Sequence, residues 1–384
     1  MNLERLRAGR FVRLQDAMRR HGTEVCLFFN QANVRYATGT AIMTVYSNSA
    51  FVRCTVVPAE GAPILFEHPK SLHISRRIVD DVRPMHAWEF TDDPATEASF
   101  WAKEIVGAMR DAGAEGNRLA VDKLGTPAVL ALQAEGLQLA DTGRITLDAR
   151  EIKTPEEIEL LRHNGEIGTK MLSAFESAIA PGVREQDLLA VLTDTLLRNG
   201  GEYLITRACV SGPNTNPWSL EASERALEDG DLVFADTDAI GVEGYMIDVS
   251  RTFLCGDRSA RPAQKEAYRA AHGWLAAATE LVRPGISFED YAREVPALPE
   301  EYLPQRYEVI AHSAGLDDEG PSIAYAGDPQ PNPSRVVQEG MVLCLEVYAG
   351  EVGGTDGVKL EDQVLVTANG AEDLVPYPFA DTLL

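Results

Sequence analysis

The 384-residue sequence predicts an α/β (α+β) protein of two domains, residues 1–150 and 151–384. Three observations carry this. The length suits two domains of roughly 100–200 residues each. The first 150 residues alternate helix-like and strand-like stretches, as a small α/β domain does. The remainder opens on a strong helix start and then carries carboxylates inside apolar, strand-like runs.

In the first domain, Leu3, Leu6, Phe11, Leu14 and Met18 recur at roughly helical spacing over residues 3–21. Val25–Phe29 reads as a strand, and the polar stretch Asn33–Gly39 as a turn. Apolar runs at 51–57 and 63–67 flank Pro58-Ala59-Glu60-Gly61, which reads as a hairpin. Residues 95–113 read as helix and 118–122 as strand.

The second domain begins with Thr154-Pro155-Glu156-Glu157, a cap, a first-turn proline and a capping glutamate in order. That helix extends toward 179, before Pro181-Gly182, and a second covers 185–199, stopping at Gly200-Gly201. Strands are expected at 203–211, 232–240, 244–254, 306–311, 341–349 and 359–367, and helices at 261–283 and 288–294.

Acids sit where apolar residues are expected. Asp236 and Asp238 end the run Leu232-Val233-Phe234-Ala235 and, two apart on a strand, point to one face. A turn at Gly241–Gly244 returns the chain through Tyr245-Met246-Ile247 to Asp248. Glu346 lies within Met341–Tyr348 and Glu361 within Val358–Val366. An isolated buried carboxylate costs several kcal/mol or takes up a proton. Divalent cations remove both the burial cost and the mutual repulsion, and hard oxygen ligands suit them. The alternative is that each acid faces solvent or pairs with Arg251, Arg207 or Lys359.

Composition narrows the partners. The net charge of −24 disfavours nucleic acid and anionic membrane surfaces, and fits a cationic or zwitterionic small substrate or bound metal. No apolar run of about 18 residues appears, and the N-terminus lacks a signal-peptide core, which predicts a cytoplasmic protein. The five cysteines are scattered without a Cys-x-x-Cys pair and read as reduced core thiols.

In order and spacing, these residues resemble the creatinase/aminopeptidase, or pita-bread, superfamily, in which two Asp, a His and two Glu bind two metals. The stretch Gly244–Phe253 is similar to its second-Asp motif, His312 to its metal His, Glu346 to its first Glu and Leu360-Glu361-Asp362 to its last. Asn33-Val34-Arg35-Tyr36 resembles a segment of the superfamily's N-terminal domains, so the likeness covers nearly the whole chain. It implies a creatinase-like domain over 1–150 and a pita-bread catalytic domain over 151–384. It further implies two divalent ions held by Asp236, Asp238, Asp248, His312, Glu346 and Glu361, with iron the first expectation and Zn, Mn, Co or Ni also suited. A homodimer is the implied assembly.

Two departures separate the chain from the superfamily's peptidases. Their first Asp lies eleven residues before the second, where this chain has Thr237 flanked by Asp236 and Asp238. Their two auxiliary histidines are missing, and Trp218 stands where one belongs. The branch of metal-dependent dimethylsulfoniopropionate (DMSP) lyases is similar in both respects. It also resembles the chain in Gly212-Pro213 to Trp218, in Tyr307 five residues before His312, in Asp318-Glu319 and in Tyr377-Pro378-Phe379. Ser313 in place of a usual Gly, and Tyr46 in place of a Trp, depart from that branch, as does the absence of its longer N-terminal extension from the sequence.

The resemblance implies β-elimination of a small zwitterion, with Asp318 as general base and Tyr307 touching substrate. Trp218, Tyr307 and Tyr46 are candidates to face the sulfonium, at about 0.5–2 kcal/mol per contact. An aspartate of ordinary pKa, about 4, is a weak base for a carbon acid. Metals on the substrate carboxylate would offset the developing charge. The alternative is a metal-dependent C–N hydrolase acting on Xaa-Pro dipeptides or on creatine- or ectoine-like compounds. A non-catalytic binding protein is a third reading, disfavoured by the intact ligand set.

Overall fold

The structure is a computed structural model and describes all residues except 49, 219, 330, 331 and 333. The chain forms two compact units, Met1–Arg150 and Glu151–Leu384.

The first unit is built on a six-stranded mixed sheet in the order Asp81–Pro84, Ile64–Glu67, Cys54–Pro58, Val25–Phe28, Arg118–Val121, Gln138–Asp141. Its central strands read Val-Cys-Leu-Phe and Cys-Thr-Val-Val-Pro and are buried throughout. The helix Pro94–Asp111 lays Trp101 against Phe29 and Trp88, with ring centroids 5.7 and 4.9 Å apart. The turn expected at Asn33–Gly39 is instead the helix Gln31–Thr38. Asn30 caps it by accepting from the amides of Ala32 and Asn33, and Gly39 closes it at φ 70°. Asn33, which opened the expected turn, lies in the first turn of this helix.

The second unit stacks the helices Pro155–Ala178, Glu185–Arg198 and Pro262–Leu281 around a large antiparallel sheet and a small three-stranded one. Thr154 and Glu157 form the reciprocal capping box expected from sequence. The helix above it approaches the chain closely: a Cβ on Gly165 would lie 1.8 Å from the carbonyl oxygen of Leu374. Asn164 donates to the carbonyls of Val242 and Tyr245 and accepts from the amide of Val242, which fixes the turn before Asp248. The long strands Val342–Gly350 and Gly357–Thr367 form the sheet's centre, backed by Tyr268, Trp274 and Leu275 of the helix Pro262–Leu281.

Several expected strands are shorter than their apolar runs. The run 203–211 splits into Tyr203–Leu204 and Cys209–Ser211, and 232–240 into Leu232–Asp236 and Ala239–Ile240. The run 306–311 is mostly loop, and its strand is Ala311–Ala314. All five cysteines are buried and free. Among the described residues no helix is long and apolar enough to cross a membrane.

Candidate metal centre

Sheet register assembles the acids. Asp236 stands opposite Ser250, Ser250 opposite Glu361, and Glu361 opposite Glu346, one row across four neighbouring strands. Residues in such a row share a face, so the side chains converge. On the next strand His312 stands opposite Cys344, two residues before Glu346. Asp248 is brought in by a clasp: the Thr237 hydroxyl donates to the carbonyl of Ile247 at 2.9 Å and accepts from the amide of Val249 at 3.1 Å.

Asp236 and Asp238 do not lie on one continuous strand. The strand ends at Asp236, and Asp238 has φ 29°. Aspartate is among the few residues other than glycine that enter this region, and such strain clusters at functional sites. Both acids still line a cavity of about 380 Å³, together with Asp248, His312, Glu346 and Glu361. Thus all six residues expected to bind metal reach one cavity. Trp218, Tyr307 and Asp318 also line it.

The site has the features of a cation-binding cluster. Asp248 Oδ2, Glu346 Oε1 and Glu361 Oε1 are buried without a hydrogen-bond partner. They lie 3.6, 3.1 and 3.7 Å from His312 Nε2. A buried acceptor left unmade costs about 1–3 kcal/mol, more when charged. Three such oxygens converging on one imidazole nitrogen fit divalent ions, which take carboxylate and imidazole ligands together. Cys344, expected only as a core thiol, has its sulfur within 4.8 Å of ligand atoms of Asp248, His312 and Glu361.

His312 is held for this task. Its Nδ1 lies 2.9 Å from Asp318 Oδ1 and 3.2 Å from the carbonyl of Ser313. Donation from Nδ1 leaves Nε2 with a lone pair facing the carboxylates, the arrangement that metal-ligating histidines use. Asp318 begins the strand Asp318–Ile323, and its side chain is 63% exposed.

Electrostatics agree. Burial, then Asp236 and Glu361, pushes Asp238 up to about 7. Burial, then Glu361 and Asp238, raises Asp248 well above the usual carboxylate range. Burial pulls His312 down, but Cys344 and the nearby carboxylates of Asp318, Glu346 and Glu361 leave it well above its ordinary value. Free of metal, the cluster therefore holds protons that divalent ions would displace.

Of the three cations that sequence offered as partners for the acids, two pair elsewhere. Arg251 pairs with Asp362 at 2.7 Å, and Arg207 pairs with Glu221. Lys359 is inside the cluster, with Nζ 2.6 Å from Glu346 Oε2, 3.4 Å from Asp236 Oδ2 and 3.5 Å from Glu361 Oε2. A single ammonium leaves a surplus of carboxylates. Ser250 also escaped sequence reading; its Oγ is 2.8 Å from Asp236 Oδ1 and 2.9 Å from Glu361 Oε2. Its signal was its place two residues after Asp248.

The aromatic wall is partly engaged. Trp218 and Tyr307 meet with centroids 4.8 Å apart, and Lys359 Nζ lies over both rings, at 5.7 and 4.6 Å. Glu185 holds the loop that carries Trp218, accepting from the amides of Ser211 and Ser223 at 2.7 and 2.9 Å. Every described residue that lines the cavity belongs to the second unit. Tyr46 belongs to the first, where its ring stacks on His68 with centroids 4.1 Å apart.

Fold and site together define a metal-dependent enzyme with a carboxylate-rich, dinuclear type of centre. Residues 159–368 match metallopeptidase family M24 and residues 10–152 match the creatinase/prolidase N-terminal domain. The chain belongs to family M24. It is similar to the dimethylsulfoniopropionate lyase DddP of Roseovarius nubinhibens, at 31% identity over 394 residues that span 100% of this chain and 88% of the relative. It is also similar to an Xaa-Pro dipeptidase of Pyrococcus furiosus, at 31% identity over 233 residues, 59% of this chain and 64% of that one. Among solved structures, the prolidase from Pyrococcus horikoshii OT3 superposes with a TM-score of 0.78 at 20% identity, covering 96% of this chain and 99% of that one. That likeness concerns the fold.

Proposed function

We propose that the chain is a metal-dependent DMSP lyase. It removes a proton alpha to the substrate carboxylate, breaks the C–S bond and releases dimethyl sulfide, leaving acrylate. The electron pair of the broken C–H bond forms the new C=C bond, and that of the C–S bond leaves with sulfur. Full-length similarity to a DMSP lyase supports the reading, but the observation that carries it is local. Asp318, an exposed carboxylate, sits at the cavity wall beside the metal-site histidine, facing the same space as Trp218 and Tyr307.

In this reading Asp318 accepts the alpha proton on the oxygen not engaged by His312. Asp236, Asp238, Asp248, His312, Glu346 and Glu361 hold the ions. Bound there, divalent ions supply Lewis acidity that offsets the charge developing on the substrate carboxylate. Trp218 and Tyr307 wall off water and present aromatic surface to the sulfonium. Burial pushes the Tyr307 phenol up, so the ring stays neutral beside Lys359. Sulfide leaves without protonation, so the chemistry asks for no second histidine; among the described residues His312 is the one histidine in the cavity lining. Tyr46 remains a proposed substrate contact on the resemblance alone, as do iron as the first metal and the cytoplasmic homodimer.

The second reading is hydrolysis of an Xaa-Pro dipeptide, favoured by the similarity to the Pyrococcus furiosus dipeptidase over 59% of the chain. Metal-loaded protein incubated with DMSP, with headspace dimethyl sulfide measured by gas chromatography, separates the two. Sulfide from the wild type, lost in Asp318→Ala and His312→Ala, is the expected result. No sulfide from protein shown to contain its metals would sink the lyase reading and bring Xaa-Pro dipeptides and ectoine forward.

A further inference from the structure

Lys359 is fully buried, yet it is not a metal ligand and no step of the proposed reaction uses it. It lies on the strand Gly357–Thr367, two residues before Glu361, and so shares that residue's face. Its contacts divide the glutamate oxygens into two sets. Glu346 Oε2 and Glu361 Oε2 turn toward Lys359 Nζ, at 2.6 and 3.5 Å. Glu346 Oε1 and Glu361 Oε1 turn the other way, toward His312 Nε2, and have no hydrogen-bond partner. Asp236 is divided similarly, with Oδ2 3.4 Å from Lys359 and Oδ1 2.8 Å from Ser250 Oγ.

The charges of the expected ligand set also close. Of the acids lining the cavity, the five expected to bind metal, Asp236, Asp238, Asp248, Glu346 and Glu361, carry five negative charges. Two divalent cations leave one unbalanced, and the Lys359 ammonium balances it. The chain has two acids, Asp236 and Asp238, flanking Thr237, and Lys359 sits against the first of them.

We propose that Lys359 is a positioning and charge-balancing residue of the metal centre. It holds one oxygen of each glutamate, so that the other faces the ions, and its fixed positive charge lowers the affinity of the site for divalent cations. The acids are thereby kept together when metal is absent, and the site is prevented from binding metal as tightly as five bare carboxylates would. Like charges a few ångströms apart in a buried site repel strongly enough to alter binding by orders of magnitude. The proposal concerns the metal centre and stands whichever reaction the enzyme performs.

The test is metal affinity, measured on metal-stripped protein by chelator competition with Mn²⁺, with circular dichroism as a check on folding. Lys359→Met, which keeps the linear apolar stem, should bind Mn²⁺ about tenfold or more tightly than wild type. Lys359→Gln serves in its place if the Met variant does not fold. Lys359→Arg, which keeps the charge, should stay close to wild type. A folded neutral variant that binds Mn²⁺ no better than wild type would overturn the proposal, because a purely structural lysine would weaken binding when removed. An Arg variant that shifts as far as the neutral ones would overturn it equally.

Discussion

Asp318 Oδ1 and His312 Nδ1 lie 2.9 Å apart, so the proposed base is also the carboxylate that orients an expected metal ligand. The two roles separate by substitution. In Asp318→Asn the amide oxygen can still accept from Nδ1, but the side chain no longer takes a proton. Asn should therefore retain metal and lose dimethyl sulfide production, by about 10²–10⁴-fold for a lost general base. Asp318→Ala should lose activity and, in addition, about 10–100-fold in metal affinity. Metal content after dialysis, read beside headspace assays, checks both. An active Asn variant would remove Asp318 as the base.

His312→Ala should strip the centre. The imidazole is the one nitrogen donor of the six expected ligands, and its Nε2 faces three carboxylate oxygens that otherwise lack partners. Elemental analysis of the purified variant should find metal content well below wild type, with the fold retained.

Metal affinity should rise with pH. Asp238, pushed up to about 7, and Asp248 and His312, both raised, hold protons that must leave when metal binds. The same shifts set the stability of the stripped protein. Between about 4 and about 7 the folded state keeps a proton on Asp238 that the unfolded chain has released, since its ordinary value is 3.8. Folding stability from this group is present at low pH and is lost as pH rises through about 7. Relative to Asp238→Asn, the melting temperature of stripped protein should fall across that window, and the gain on adding metal should grow. A difference from Asp238→Asn that rises from pH 4 to 7 would contradict this assignment.

Trp218→Ala should weaken substrate binding more than turnover. Its ring lies at the cavity wall against Tyr307, with Lys359 behind both. Loss of one aromatic contact to a sulfonium, about 0.5–2 kcal/mol, corresponds to a roughly two- to thirty-fold rise in KM. A thioether analogue without the positive charge should show no such dependence in competition binding.

Thr154→Ala should cost about 1 kcal/mol of stability without touching activity. It removes half of a capping box at the start of the helix Pro155–Ala178, away from the cavity lining. Chemical denaturation measures it.

The acids expected to bind metal were legible because they violate a local rule, whereas His312 was legible only through the family resemblance. Asp236, Glu346 and Glu361 interrupt apolar, β-forming runs, and a buried acid needs a counterion. The Thr154 cap was legible because capping depends on four consecutive residues. The helix at Gln31–Thr38 was not, since asparagine serves a turn and a helix cap equally.

What the sequence by itself determined was the division into two units, the helix start at Thr154 and the buried acids expected to hold metal. Tertiary structure alone decided the break at Asp238, the His312–Asp318 contact and the place of Lys359 among the acids. The reason is physical. Residue type and short-range spacing fix which face of a strand a side chain occupies, and therefore which acids must be explained. Which oxygen of Glu346 meets an ammonium and which is left for an ion depends on how neighbouring strands pack in register, among them those that pair Ser250 with Glu361, 111 residues apart in the chain.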